Sequence, residues 1–252
     1  MKVWQRTAFS PGGGPGDLWF FVFADSPLLG LKLSASRHGW PAGHAVDGFD
    51  ISLHSKAEHP ERFDGLIEQP LVWDADATDY IEALRQATYR ITIRAVIDDP
   101  PDLAHLQCAM ALVRAVAEGR GIAICDAHAI SWMGAEKMAA EPVDMAFDVS
   151  RHMSVVFETE SNDGIGHIVH TRGLTKFGRS DLILLDQSPA SADYASTLLY
   201  AVANFVAHGA SLTPGQTMQL GDAGEFRFEE YVPGDEIPEL YLNNAGLVLR
   251  PL

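Results

Sequence analysis

Ten histidines in 252 residues raise metal ligation first, because neutral imidazole is the commonest protein metal ligand. Their spacing argues against it. His167 and His170 stand three apart in the strand-like run HIVHTRGL (167–174), and a side-chain period of two puts them on opposite faces. Neither an HExxH pair nor the cysteine–histidine spacing of a zinc site occurs. His38, His44, His54 and His59 fall in an irregular early stretch, where scattered histidines explain the count better than ligands gathered by a loop. We expect no metal and no cofactor. A GxSxG elbow and a GxxxxGK[ST] phosphate loop are also missing. Gly164-Ile165-Gly166 reads as a turn between strands, because Val169 stands where a dinucleotide loop needs its third glycine. Asp126 and His128 follow Cys125, but in a strand those two share the face opposite the thiol, which defeats a cysteine triad. They sit near the end of a predicted strand, a place where sites form in α/β proteins. The plainer reading is a capped strand end with its polar groups turned to solvent.

The most distinctive run is HTRGLTKFGRSDL (170–182). Gly173 and Gly178 would supply positive φ in a tight connection. Leu174 and Phe177 would anchor it to the core. Arg172, Lys176 and Arg179 would point outward, and Asp181 could pair with one of them. In its functional version this is an anion- or carboxylate-binding loop; in its structural version it is a well-packed turn whose charges only solvate it, and the glycine and aromatic pattern favours the second. The candidate binding residues are therefore His170, Arg172, Lys176, Arg179 and Asp181, with Asp126 and His128.

The elements that must position these residues follow from apolar periodicity. DLWFFVFA (17–24) is a continuous apolar run and predicts a buried strand. Val46 to Leu53 alternates weakly, as an edge strand would, and Ala77 to Ala87 predicts a short helix. YRITIRAVI (89–97) alternates strictly, with Arg90, Thr92 and Arg94 on the polar side of a half-buried strand. After Asp98-Asp99-Pro100-Pro101 a helix carries Leu103, Leu106, Met110, Val113 and Ala117 at helical spacing, and GIAICDAHAI (121–130) follows as a strand. A comparable unit comes later: strands at 167–174 and 181–186, a helix opened by Ser188-Pro189 with Tyr194, Leu198, Leu199, Val202, Phe205 and Val206 as its apolar stripe, then strands at 217–220, 225–231 and 245–250. Strand, long helix, strand is thus written twice. The expectation is an α+β fold with a mixed, largely antiparallel sheet and helices packed on one face. Behind a flexible N-terminus (1–16, ending in PGGGPG), 17–140 and 141–252 form two pseudo-repeated halves or one continuous domain.

Composition limits the partners. The net charge of −16 repels nucleic acid and anionic membranes, and Arg172, Lys176 and Arg179 are too few for a nucleic-acid groove. From Asp181 onward ten acidic residues face only Arg227 and Arg250, led by Glu225, Glu229, Glu230, Asp235, Glu236 and Glu239. That reads as a solvated face or as a docking surface for a basic partner. Cys108 and Cys125 lie in apolar surroundings and fit buried thiols in a reducing cytoplasm. The N-terminal MKVWQRTAFSPGGGPG has no apolar run of signal-peptide length, and no stretch approaches the length of a membrane span.

Over most of its C-terminal third, within the half 141–252, the chain resembles the bacterial family classed as domain of unknown function 4261, most specifically on residues 170–217. The family pattern is carried by His170, Thr171, Gly173, Leu174, Phe177, Gly178 and Asp181, then by the helix from Tyr194 to His208 with its late aromatic, and by the turn Gly215-Gln216-Thr217. Met218 departs from it, standing where a β-branched residue is usual. Ala104 to Asp126 also follow its layout of helix, glycine and strand. The resemblance implies an α+β fold and a bacterial cytoplasmic protein. It implies no reaction, so no catalytic residue is carried over.

Two functions are weighed. The first is a non-enzymatic binding or interaction protein, accessory or antidote-like, with an acidic surface for a basic protein partner. The alternative is a small-molecule hydrolase whose site is assembled from His170, Asp126 and His128. A homo-oligomeric structural protein is a third reading.

Overall fold

A computed structural model describes residues 2–27, 30, 32–44, 48–158, 167–233 and 244–252. Its first sheet is built around β1 (Gly16–Ala24), flanked by β3 (Tyr89–Ile97) and β4 (Gly121–Asp126), with β2 (Phe49–Ser55) and β5 (Ser131–Gly134) at the edges. Every pairing in it is antiparallel. β1 is central, which is why its sequence is continuously apolar. Leu18, Phe20 and Val22 enter the main core, while Phe21 and Phe23 enter a second cluster with Phe63, Tyr80, Ile81, Leu84 and Trp132. The segment bearing α2 (Pro70–Trp73) and α3 (Ile81–Arg85) supplies that second cover, and the short α1 (Ala35–His38) lies against the long helix that follows β3.

β3 alternates as expected, with Ile91, Ile93 and Ala95 in the main core. Its polar side is less open than the alternation suggests. Arg90 is buried, its guanidinium 4.4 Å over the Phe21 ring and donating to Arg62 O. α4 (Ala104–Arg120) packs its apolar face on β1, β3 and β4. The strand expected over 121–130 is shorter: it ends at Asp126, turns, and returns as β5, followed by α5 (Ala135–Ala140).

The second sheet has the order β6-β7-β8-β11-β10-β9, formed by β6 (Ser154–Glu158), β7 (His167–Arg172), β8 (Asp181–Gln187), β9 (Thr217–Gln219), β10 (Glu225–Glu230) and β11 (Gly246–Pro251). β8 and β11 are parallel, and the other pairs are antiparallel. α6 (Ala192–Ala207) packs on β6, β7 and β8 through Ala195, Leu198, Leu199, Val202, Ala203, Val206 and Ala207. Tyr194 and Phe205, expected on that stripe, face outward; at about 100° per residue they lie just past the edge of the buried arc set by Leu198.

The class is α+β with mostly antiparallel sheets. The two strand–helix–strand units are not copies: one strand separates β3 from β4, whereas two separate β8 from β9, and only the second sheet holds a parallel pair. One apolar cluster runs through both, joining Phe20, Leu106 and Val113 to Leu182, Leu198, Phe228 and Leu249. The N-terminal segment has no helix or extended strand and is laid along the molecule: Ala8 N donates to His208 O, Ser10 N to Gly209 O and Gly14 N to Gly178 O. No helix among the described residues is long and apolar enough to cross a membrane.

Candidate functional site

The run 170–182 links β7 to β8 through a short 3-10 turn, Leu174–Phe177, between Gly173 (φ 106°) and Gly178 (φ 64°). Both glycines take the positive φ expected of them, and Leu174 and Phe177 are fully buried. Gly178 is required for a second reason. A Cβ there would stand 2.0 Å from Gly14 O, where the N-terminal segment crosses the turn.

The charges do not point outward. Lys176 is 0 % exposed; its ammonium pairs with Asp126 and lies 5.7 Å over the Phe20 ring. Asp126 gives Oδ2 to Lys176 and Oδ1 to the backbone N–H groups of His128 and Ala129, each 3.1 Å away, so it caps the turn after β4. Arg179 is buried too. It donates to Asp99 at 2.8 Å and to the carbonyls of Ser10, Gly178, Gly209 and Ala210. Asp99 in turn accepts from Gly12 and Gly13 N–H. Burial works against the Asp99 carboxylate, but the bonds from Arg179 and Gly13 outweigh it and lower its pKa. Beside it, Arg6 donates to Pro100 O and Phe177 O; burial, then Arg179, pushes its pKa down to about 10. Arg172 is half-buried, and desolvation lowers its pKa against the pull of Asp181 and Glu158.

The expectation of an outward-facing Arg172, Lys176 and Arg179 is therefore corrected for the last two. Their carboxylates come from Asp126 and Asp99, in other elements, so no local spacing announces the pairs. The pairing expected of Asp181 is corrected as well. It is fully buried and accepts from Thr171 Oγ1 (2.9 Å), Leu174 N (3.3 Å) and Asn244 Nδ2 (3.1 Å). Burial raises its pKa, and these bonds only partly oppose the rise.

Asp126 and His128 are buried, not turned to solvent. His128 lies in the turn, its Nε2 3.5 Å from Asp17 and its ring against Trp19; burial lowers its pKa. His170 instead meets Glu158 Oε1 at 3.0 Å and Thr171 O at 3.1 Å. So Asp126 and His128 share a turn with Lys176 nearby, while His170 is engaged elsewhere. Gly164-Ile165-Gly166 and three of the acidic residues, Asp235, Glu236 and Glu239, lie outside the described residues.

Three concavities among the described residues are lined by none of Asp126, His128 and His170. One of about 50 Å³ lies among Trp4, Met110, Arg114 and His152. A second, of about 330 Å³, is bordered by Lys32, Arg37, Glu118 and Arg120. A third, of about 340 Å³, is bordered by Asp76, Asp79, Tyr80 and Lys137. The spacing of residues does not reveal the first, because Trp4, Arg114 and His152 come from three distant segments. A readable signal does exist for another surface feature. Leu71, Val72 and Trp73, three consecutive apolar residues, are 50 %, 74 % and 44 % exposed on α2, in a stretch from Asp64 to Glu82 whose sequence holds six acids and no lysine or arginine.

Burial pushes the Cys108 thiol up to about 12 and raises Cys125 further, so neither is an activated nucleophile. Among the described residues no group of three His, Cys, Asp or Glu could hold a metal ion. No family model, curated protein or solved structure matches the chain.

Proposed function

We propose that this chain is a non-enzymatic binding protein whose acidic, apolar-tipped surface receives a partner with a basic surface. One observation carries the reading: Leu71, Val72 and Trp73 stand exposed in a row, in a stretch from Asp64 to Glu82 that holds six acids and no lysine or arginine. α2 is held by buried Pro70 and by Tyr80 Oη donating to Asp74 at 2.6 Å. Arg85 pairs with Glu68 and Glu82, and Lys137 with Asp76. Asp64 and Asp79 have no cation among the described residues and remain for a partner's basic rim. A tryptophan beside aliphatic side chains is the kind of anchor that dominates interface energies, and electrostatic complementarity around it steers association. Glu225 and Glu229, on one side of β10, add acid elsewhere, with Glu229 paired to Arg250.

The hydrolase alternative has less support, because both Asp126 oxygens are occupied and His170 is bonded to Glu158. The resemblance of residues 170–217 to the domain of unknown function 4261 family, and a cytoplasmic location, belong to the same proposal. Panning a random-peptide display library on the immobilised chain tests it. Enrichment of peptides pairing Lys or Arg with an apolar residue, lost in Trp73→Ser and weakened by salt, is expected. No enrichment, or enrichment indifferent to Trp73→Ser, overturns it. Ester hydrolysis abolished by His170→Ala would favour the hydrolase.

A further inference from the structure

The cavity among Trp4, Gln107, Met110, Arg114, Met145 and His152 has a volume of about 50 Å³, counted as room for the centres of water-sized molecules. That is room for more than a single water, and it suits a small molecule of a few heavy atoms. Its walls are held in place. Trp4 N donates to Gln107 Oε1 at 2.8 Å, and Trp4 Nε1 donates to Met145 O at 3.0 Å.

Two buried polar side chains are left incomplete there. Arg114 is 7 % exposed. Its Nη1 donates to Met138 O at 3.0 Å and Glu141 O at 2.5 Å; Nε and Nη2 have no acceptor among the described residues. These are the two nitrogens whose N–H groups form a planar fork matched to the oxygens of a carboxylate. His152 is 3 % exposed, and its Nδ1 is buried without a partner. The ring is stacked on Phe147 and tilted against Trp4, and it forms no hydrogen bond to the described residues. A buried polar group without a partner is costly, and His152 Nδ1 beside a void that is also lined by Arg114, whose Nε and Nη2 meet no acceptor among the described residues, points to a polar occupant.

The charge around the void selects its sign. Arg114 and Arg151 line it against a single carboxylate, Glu141, which is itself paired with Arg151. His38, at the rim, is bonded to Glu118, and that carboxylate also pairs with Arg37. One cation is therefore left over, inside a chain of net charge −16. The remaining wall, from Trp4, Met110 and Met145, is apolar and polarisable.

We propose that this cavity binds a small monocarboxylate, its oxygens on the Nε–Nη2 edge of Arg114, one of them also accepting from His152, and its short apolar end against Trp4, Met110 and Met145. The site is separate from the α2 surface, and its failure leaves that reading untouched. The test is a titration of the full chain with acetate and propionate, followed through the methyl NMR signals of its methionines, with methylammonium and inorganic phosphate as comparators. Saturable shifts of Met110 and Met145 with the carboxylates, absent with methylammonium, are expected. His152→Phe keeps the stack on Phe147 and gives up no hydrogen bond, so it folds; it should weaken acetate about tenfold. Arg114→Lys keeps the charge, removes the fork and should abolish binding; should it fail to fold, the His152→Phe result decides. Absence of saturable shifts, phosphate binding as tight as acetate, or unchanged affinity in His152→Phe would overturn the proposal.

Discussion

Replacing Lys176 with methionine strands the Asp126 carboxylate inside the protein. Methionine preserves most of the lysine stem, so packing changes little, although the cation over the Phe20 ring is lost. Asp126 Oδ1 still caps the turn through His128 and Ala129, and only Oδ2 loses its partner. Breaking a buried pair in this way costs about 3–5 kcal/mol. The retained cap places Lys176→Met at the lower end, about 3 kcal/mol. Asp126→Asn strands the ammonium instead and should cost a similar amount. In the double variant no charge is buried. The asparagine oxygen keeps the cap, and one unpaired amide NH2 group remains, worth about 1–3 kcal/mol. The double variant should therefore be no less stable than either single one, a coupling of about 3 kcal/mol. Urea unfolding followed by tryptophan fluorescence measures all four proteins. Additive single effects, or a Lys176→Met protein within about 1 kcal/mol of the parent, would refute the reasoning, because an exposed surface pair is worth no more than that.

Further outcomes follow from the same geometry. Burial brings the pKa of His105 down from 6.5 to about 4, so below pH 6.5 the unfolded chain takes up a proton that the folded one refuses. Stability should fall by about 3 kcal/mol as the pH drops towards 4 and then level off; a His105→Gln variant, still able to donate to Lys176 O, should lack this component in pH-dependent urea titrations. Gly178→Ala forces a side chain into positive φ and against Gly14 O. It should lose at least about 1–3 kcal/mol from strain alone and speed proteolysis within residues 10–16; unchanged cleavage would contradict the crossing described here. Cys108 and Cys125 should resist iodoacetamide until the protein unfolds, and rapid labelling of either in native buffer would show that its burial is misplaced.

Much of the fold was legible because burial imposes periodicity. The alternation of β3, the continuous run of β1 and the glycine-bounded turn at 173–178 are local consequences of what each residue must face. Tyr194 and Phe205 misled because apolar type alone does not say how wide a helix's buried arc is. The two sheets, and the parallel meeting of β8 with β11, rest on contacts between distant segments, which no local pattern reports. The same holds for the candidate site. The run 170–182 stands out in the sequence, but its role depends on Asp126 and Asp99, which reach it from 50 and 80 residues away. A lysine between two glycines looks like a solvated loop charge until its carboxylate is located. The void beside Arg114 and His152 is further still from sequence reading, since an empty space has no residue of its own.

The central claim is that the charges of this run brace the protein from inside and leave its surface free to bind. Amine acetylation under native conditions, read residue by residue by mass spectrometry, tests it most directly. Lys2, Lys32, Lys56 and Lys137 are accessible to different degrees, whereas Lys176 is sealed in. The account predicts prompt modification of the four and protection of Lys176 until global unfolding. Modification of Lys176 together with the others in the folded protein would contradict it.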